Sequence, residues 1–261
     1  MSPLVAEILP EVVALTHEIV DAAGAGLIGM YVHGSAVLGD FQVGRSDLDV
    51  LLVVEDKTEE AVVAAMTATL AAHRASVGTG IEASVVDRSH AFRARPPWRF
   101  RSHVTTTRSD CKIVSGTDHA GDPDLALHYL IAREVGWAAT GPQPTEIFGQ
   151  IDHQVALDHL AAELRWAAVE APTTYGVLNS CRALRFADDH RICSKTDGGR
   201  WALERGIRTD LVSVALAHRS GEGPPPSEGA RAWVVNVAEH LLQKDAPMGS
   251  MPGVIEWRDD G

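Results

Sequence analysis

Residues 29–56, GMYVHGSAVLGDFQVGRSDLDVLLVVED, decide what this chain can be. Two apolar runs flank a glycine-rich connection. The first ends at Gly34-Ser35, and the second is opened by Asp47-x-Asp49. On a strand, residues i and i+2 project from the same face, so the two carboxylates stand side by side. Anions a few ångströms apart repel unless a cation lies between them. A hard divalent ion such as Mg²⁺ takes one or two carboxylates together with substrate phosphates. Gly34 lets the backbone approach a phosphate closely. Ser35 adds a hydroxyl donor, and the amides at the start of a following helix point at an anion. The order strand, Gly-Ser, short helix, loop, strand therefore puts a phosphate cradle and two metal carboxylates at one end of a sheet. Alone, an Asp-x-Asp pair also reads as a solvated strand end.

A third carboxylate lies further on. Glu82 opens the strand GIEASVVD. It is a candidate third metal ligand, or a general base for an attacking hydroxyl. By itself it also reads as an exposed strand-end acid.

Around these motifs the chain is ordinary in bulk. It has 261 residues, 45% apolar and 22% charged, which is a globular composition with ample core. The net charge of −12 argues against nucleic-acid binding, which needs a basic face, and suits a cationic small-molecule partner. No run approaches the roughly 20 apolar residues of a membrane span, so no membrane partner is expected. The N-terminal stretch MSPLVAEILPEVV lacks a basic region ahead of an apolar one, and no signal peptide is expected. Cys111, Cys181 and Cys193 lack metal-binding spacing and read as reduced thiols of a cytoplasmic protein.

Helical periodicity runs over 11–23 and 58–76, and strands are expected at 26–35, 47–56 and 80–89. Residues 24–29, GAGLIG, match a dinucleotide fingerprint, but they follow a helix and enter a strand, the wrong order for that site. Residues 88–121 show no clear period, and their basic stretch at 93–103 reads as a domain-facing loop. Beyond Asp122 the texture turns helical, with helices expected over 122–139, 152–171, 173–190, 208–221 and 227–244.

HGSAVLGDFQVGRSDLDVLLVV resembles the signature of the polymerase-β-type nucleotidyltransferases: Gly-Ser, a spacer, then Asp-x-Asp. More narrowly, the chain resembles the aminoglycoside adenylyltransferases that modify streptomycin and spectinomycin. The likeness is strongest at 31–54, clear at IEASVV, and traceable through DPDLALHYLIAREVG, Gly141-Pro142 and NSCRALRFADDHRICSK. It implies an α+β chain. A mixed-sheet nucleotidyltransferase domain spans 1–150, with a soft boundary at 120–150, and an all-α helical domain spans 151–261.

The resemblance also implies roles. Gly34 and Ser35 hold a phosphate of ATP, Asp47 and Asp49 ligate Mg²⁺, and Glu82 is both metal ligand and catalytic base. Arg182 and Lys195 reach the triphosphate from the helical domain. The implied activity is Mg²⁺-dependent transfer of AMP from ATP to a hydroxyl of an aminoglycoside, conferring resistance, by a monomer. Another hydroxylated metabolite or a protein side chain is the alternative acceptor. A catalytically silent module is disfavoured by the presence of all three carboxylates.

In the resembling enzymes a tryptophan and a nearby aspartate precede the arginine helix and hold streptomycin. Here RWAAVEAPTTYG offers Trp166 and Glu170, in a shorter segment and with Glu in place of Asp. Trp166 also reads as a core residue. His33 reads as a packed strand-end residue. The pocket of a polycationic drug needs carboxylates, and the helical domain also offers Asp152, Asp158, Glu163, Asp188 and Asp189, most of which read as solvated helix faces.

Overall fold

The computed structural model describes residues 6–118 and 120–243. The fold is α+β, and the chain divides into two compact units, Met1–Ile151 and Asp152–Gly261.

The first unit begins with α1 (Leu9–Ala23), which buries Val12, Leu15 and Ile19 at helical spacing and carries Pro10 in its first turn, where a missing N–H is harmless. Gly24 closes it at φ 53, so the GAGLIG glycines end a helix and lead into β1 (Leu27–Val32). β1 pairs antiparallel with β2 (Leu48–Val54), and β2 pairs parallel with β3 (Ile81–Asp87) through the crossover helix α2 (Glu60–Ala72). β2 is almost continuously apolar because it lies in the sheet interior with both faces covered.

The sheet is larger than the sequence indicates. The stretch without clear period holds α3 (Arg88–Arg93) and two further strands, β4 (Ser102–Thr106) and β5 (Cys111–Ser115). Arg101, within the basic stretch expected to be loop, instead pairs with Asp87 at 3.0 Å and Glu60 at 2.8 Å, just ahead of β4. The helix expected over 122–139 is also shorter: α4 (Leu125–Val135) stops before Gly136, and Trp137–Thr140 forms β6 against the free edge of β1. Backbone pairing with β1 outweighs the helix propensity of the two alanines. The final strand order is β5-β4-β3-β2-β1-β6, a mixed sheet.

α1 and α2 cover one face of the sheet. Thr16 of α1 touches Met30 Sδ at 3.6 Å, and Thr67 Oγ1 of α2 lies 2.7 Å from Ser102 Oγ. The other face carries an aromatic cluster in which Phe148 packs on Tyr31 at 5.1 Å and on Tyr129 at 5.4 Å. Beyond that cluster, the same face continues along β2 and β3 to Asp49 and Glu82.

One buried charge ties the loop after α2 back to α1. Glu11 accepts hydrogen bonds from Ser76 N (2.9 Å), Ser76 Oγ (2.7 Å) and Val77 N (2.9 Å), with His73 Nε2 at 3.7 Å. Burial opposes its charge, but the His73 and Ser76–Val77 contacts prevail and hold the carboxyl down at about 2.

The second unit is helical throughout its described residues: α6 (His153–Glu170), α7 (Thr173–Asp189), α8 (Lys195–Glu204), α9 (Thr209–Ser220) and α10 (Ala230–Leu241), following the short α5 (Pro144–Ile147) of the first unit. Asp152 caps α6 by accepting from the amides of Gln154 and Val155. α7 is the central helix, flanked by α6, α8, α9 and α10, and it is buried on nearly every side. α8 was not among the expected helices, and the two glycines of KTDGG disfavour a helix interior. Its glycines serve close packing instead: a Cβ on Gly198 would come within 2.9 Å of Arg182 Cγ. Among the described residues no helix is long and apolar enough to cross a membrane, and all three cysteines are free thiols.

Candidate active site

Asp49 on β2 stands opposite Glu82 on β3 in the parallel ladder, and Asp47 precedes Asp49 by two residues on the same face. Ligand oxygens of all three lie within 4.8 Å of one another, and all three side chains are half-buried. Three carboxylates this close, with only oxygen donors, match what a hard divalent cation requires.

Gly34 sits beside this cluster. Its φ is +64, in the left-handed region, and a Cβ there would collide with the Asp49 carboxylate. Both space and backbone conformation therefore demand glycine. The His33 amide donates to the Asp49 carbonyl at 3.0 Å, which locks the end of β1 against the start of β2. Gly34–Ala36 is a single 3₁₀ turn rather than the start of a longer helix. Within it, Ser35 Oγ is buried and makes no hydrogen bond among the described residues. A buried hydroxyl without a partner is costly to the protein alone and fits a group that a ligand oxygen completes.

Three histidines, none singled out as a ligand from sequence, surround the carboxylates. His33, 2% exposed, is packed as expected, with its ring 4.8 Å from that of His128 on α4. Burial, reinforced by His128, pushes His33 well below the usual histidine value, so it is neutral at pH 7. His128 Nε2 lies 4.0 Å from Glu82 Oε1. His103 on β4 bridges Ser84 Oγ (2.9 Å) and Thr105 Oγ1 (3.0 Å), and burial lowers it against the opposing pull of Glu82 and Asp122. No local spacing could have announced His128 or His103, since they reach Glu82 only through the tertiary fold.

In the helical unit, Arg182 lies on α7 and Lys195 is the first residue of α8, after the N-cap Ser194. The Arg182 Nε donates to the Cys193 carbonyl at 2.9 Å, and its Nη1 donates to Asn179 Oδ1 at 2.9 Å. Lys195 Nζ sits 4.4 Å from the centroid of the Tyr175 ring. Trp166 is 54% exposed and meets Tyr175 edge-on at 6.1 Å, so it is not a core residue. Glu170, four residues later on the same face of α6, is exposed. Glu163 is not one of the solvated helix-face acids: it is half-buried and accepts from Tyr175 and Asn179. Tyr175, Asn179 and Arg182 recur at helical spacing, a signal present in the sequence that composition alone does not single out.

Residues 146–244 match the family model described as the C-terminal domain of aminoglycoside adenylyltransferases. Curated relatives described as spectinomycin 9-adenylyltransferases from Staphylococcus aureus, strains Mu50 and N315 among them, are 26% identical over 233 residues, spanning 85% of this chain and 89% of theirs. A solved spectinomycin adenyltransferase from Enterococcus faecialis, in complex with ATP and spectinomycin, has the same fold with a TM-score of 0.61. At 17% identity, the match covers 88% of this chain and 99% of that one.

Proposed function

We propose that this chain is an aminoglycoside adenylyltransferase, which transfers AMP from ATP to a hydroxyl of an aminoglycoside and releases pyrophosphate. It is a nucleotidyltransferase, and its activity would protect its host from the drug. Spectinomycin, the acceptor named for its relatives, is the first candidate, and streptomycin the second. The observation that carries this reading is the Asp47, Asp49 and Glu82 cluster beside Gly34 and the unpartnered Ser35 hydroxyl.

Each residue has a task set by its chemistry. The acceptor hydroxyl attacks the α-phosphorus of ATP in line with the departing pyrophosphate oxygen, while the Glu82 carboxylate takes the hydroxyl proton. Ser35 donates to a phosphate oxygen, and Gly34 leaves room for it. Arg182 and Lys195 offset the charge that builds on pyrophosphate, the arginine with a planar fork and the lysine with a point charge. Asp47, Asp49 and Glu82 would hold Mg²⁺, which supplies neutralisation of the phosphate charge when bound. Trp166 and Glu170 offer an exposed aromatic and an acid on one helix face, a surface suited to a cationic drug. A monomer is the working form proposed.

The test is pyrophosphate release from ATP and Mg²⁺ with spectinomycin, with streptomycin and without drug, followed by mass spectrometry of the drug. A drug heavier by one adenylyl group is expected. Release with neither drug, alongside measurable Mg·ATP binding, would move the acceptor to another hydroxylated metabolite or a protein side chain.

A further inference from the structure

Arg182 does not stand on α7 as a loose cation. A run of polar contacts reaches it from α6. Glu163 Oε1 accepts from Tyr175 Oη at 2.7 Å and from Asn179 Nδ2 at 3.2 Å. Asn179 Oδ1 in turn accepts from Arg182 Nη1 at 2.9 Å, and Arg182 Nε donates to the Cys193 carbonyl at 2.9 Å. Asn179 is 2% exposed, so its amide cannot exchange these partners for water.

The polarity of this run permits a single arrangement. A carboxylate only accepts and a guanidinium only donates. An amide placed between them must turn its nitrogen to Glu163 and its oxygen to Arg182. The carboxylate therefore decides which way Asn179 faces, and Asn179 decides where the guanidinium is gripped. With Nε and Nη1 both held, the planar fork has no rotation left, and its Nη2 edge makes no hydrogen bond among the described residues. Gly198 adds a steric wall, because its backbone lies against the Arg182 stem.

The same carboxylate oxygen also governs the second cation. The bond from Tyr175 Oη fixes the phenol ring, and Lys195 Nζ lies 4.4 Å from that ring's centroid. A cation over an aromatic face is attracted to it. One acidic residue on α6 thus places a guanidinium on α7 and an ammonium at the start of α8.

We propose that Glu163 and Asn179 are positioning residues of the nucleotide site: they hold Arg182 and, through Tyr175, Lys195 in a preformed pair for the triphosphate. This rests on the reading above that both cations bind ATP. Preorganisation matters because long cationic side chains otherwise lose rotamer freedom when they bind. It also answers a difficulty: an acid this close to two cations would compete with phosphate if it paired with them directly. Glu163 acts instead through a neutral amide and a neutral phenol.

The test is calorimetric titration of Mg·ATP into the parent protein, Glu163→Ala, Asn179→Ala, Arg182→Ala, Lys195→Ala and the Asn179→Ala/Arg182→Ala double variant, each with a thermal melt. Glu163→Ala and Asn179→Ala are expected to weaken Mg·ATP binding by about tenfold, the effect of one charge-assisted contact no longer held ready. In the Arg182→Ala background, Asn179→Ala should weaken binding by less than about twofold, since the group it positions is gone. A purely structural role would lower the melting temperature and leave the two losses additive. Additive losses, or unchanged affinity in both single variants, would overturn the inference. Should Glu163→Ala not fold, the Asn179 cycle decides by itself. If Arg182→Ala and Lys195→Ala both bind Mg·ATP as the parent does, the nucleotide-site reading fails, and this inference fails with it. Normal loss in those two variants with none in Asn179→Ala would sink the inference alone.

Discussion

Asp49 and Glu82 stand opposite each other in the parallel ladder of β2 and β3, with Asp47 on the same face. Like charges so placed strain the fold when no cation offsets them. Neutralising one should therefore spare stability and remove function. Asp47→Asn, Asp49→Asn and Glu82→Gln are each expected to cut turnover by at least about a hundredfold, the scale of a lost acid–base or charge-stabilising group. Melting temperatures should be unchanged or higher. Pyrophosphate release and thermal melts check this, and near-full turnover by Glu82→Gln would remove it as base and as ligand.

Gly34→Ala tests the seat of the cluster. The new methyl would collide with the Asp49 carboxylate and sit at a φ that alanine resists. A loss of about 1–2 kcal/mol from the backbone conformation alone is expected, with transfer abolished by displacement of Asp49. Denaturant unfolding reads the first effect and drug adenylylation the second. A variant as stable and as active as the parent would show that the close approach is dispensable.

Ser35→Ala separates binding from folding. Its Oγ is buried without a hydrogen bond among the described residues, so no described contact of the fold depends on the hydroxyl. The melting temperature should hold or rise, while KM for ATP should rise by about tenfold as a phosphate contact is lost. A clear drop in melting temperature with ATP use intact would make Ser35 structural.

Glu11 gives the first unit a pH dependence. Its carboxyl is held at about 2 in the fold, against 4.5 in the open chain. The stabilisation is thus complete above pH 4.5 and drains away as pH falls toward 2. Glu11→Gln should cost on the order of 2 kcal/mol at neutral pH, the worth of hydrogen bonds to a charged group. It should also flatten the stability profile between pH 4.5 and 2. Parallel profiles for parent and variant would contradict the assignment. His73, raised mainly by its contact with Glu11, works in the opposite sense, and its share is lost as pH climbs above the ordinary histidine range.

Trp166→Ala tests the acceptor surface. A tryptophan 54% exposed contributes little to the core, so stability should move by no more than about 0.5 kcal/mol. KM for the drug should rise several-fold while KM for ATP stays level. Equal change in both would place Trp166 outside the drug site.

The legible parts of this chain were those settled by near neighbours. Asp47 and Asp49 share a face because strand side chains repeat every two residues, whatever the strand pairs with. The helices α1, α2, α6, α7, α9 and α10 show in the apolar spacing of their own residues. The β4 and β5 strands did not show: β4 buries alternate residues, but two of the three, Ser102 and Thr106, are polar, so the alternation leaves no apolar pattern in SHVTT, and the edge strand CKIVS has no buried face to impose one. WAAT looked like the end of a helix because alanine favours one, and only the open edge of β1 made it a strand.

The sequence by itself determined the pair of aspartates, the Gly-Ser turn and the helical texture of the second half. All of these rest on contacts within a few residues. The tertiary structure alone decided that Glu82 meets Asp49, that His128 stands beside it, and that Glu163 governs Arg182 through Asn179. Those relations depend on strand register and on helices packing across long stretches of chain. Such choices are made by burial and hydrogen bonding in the whole fold, and local patterning carries no record of them.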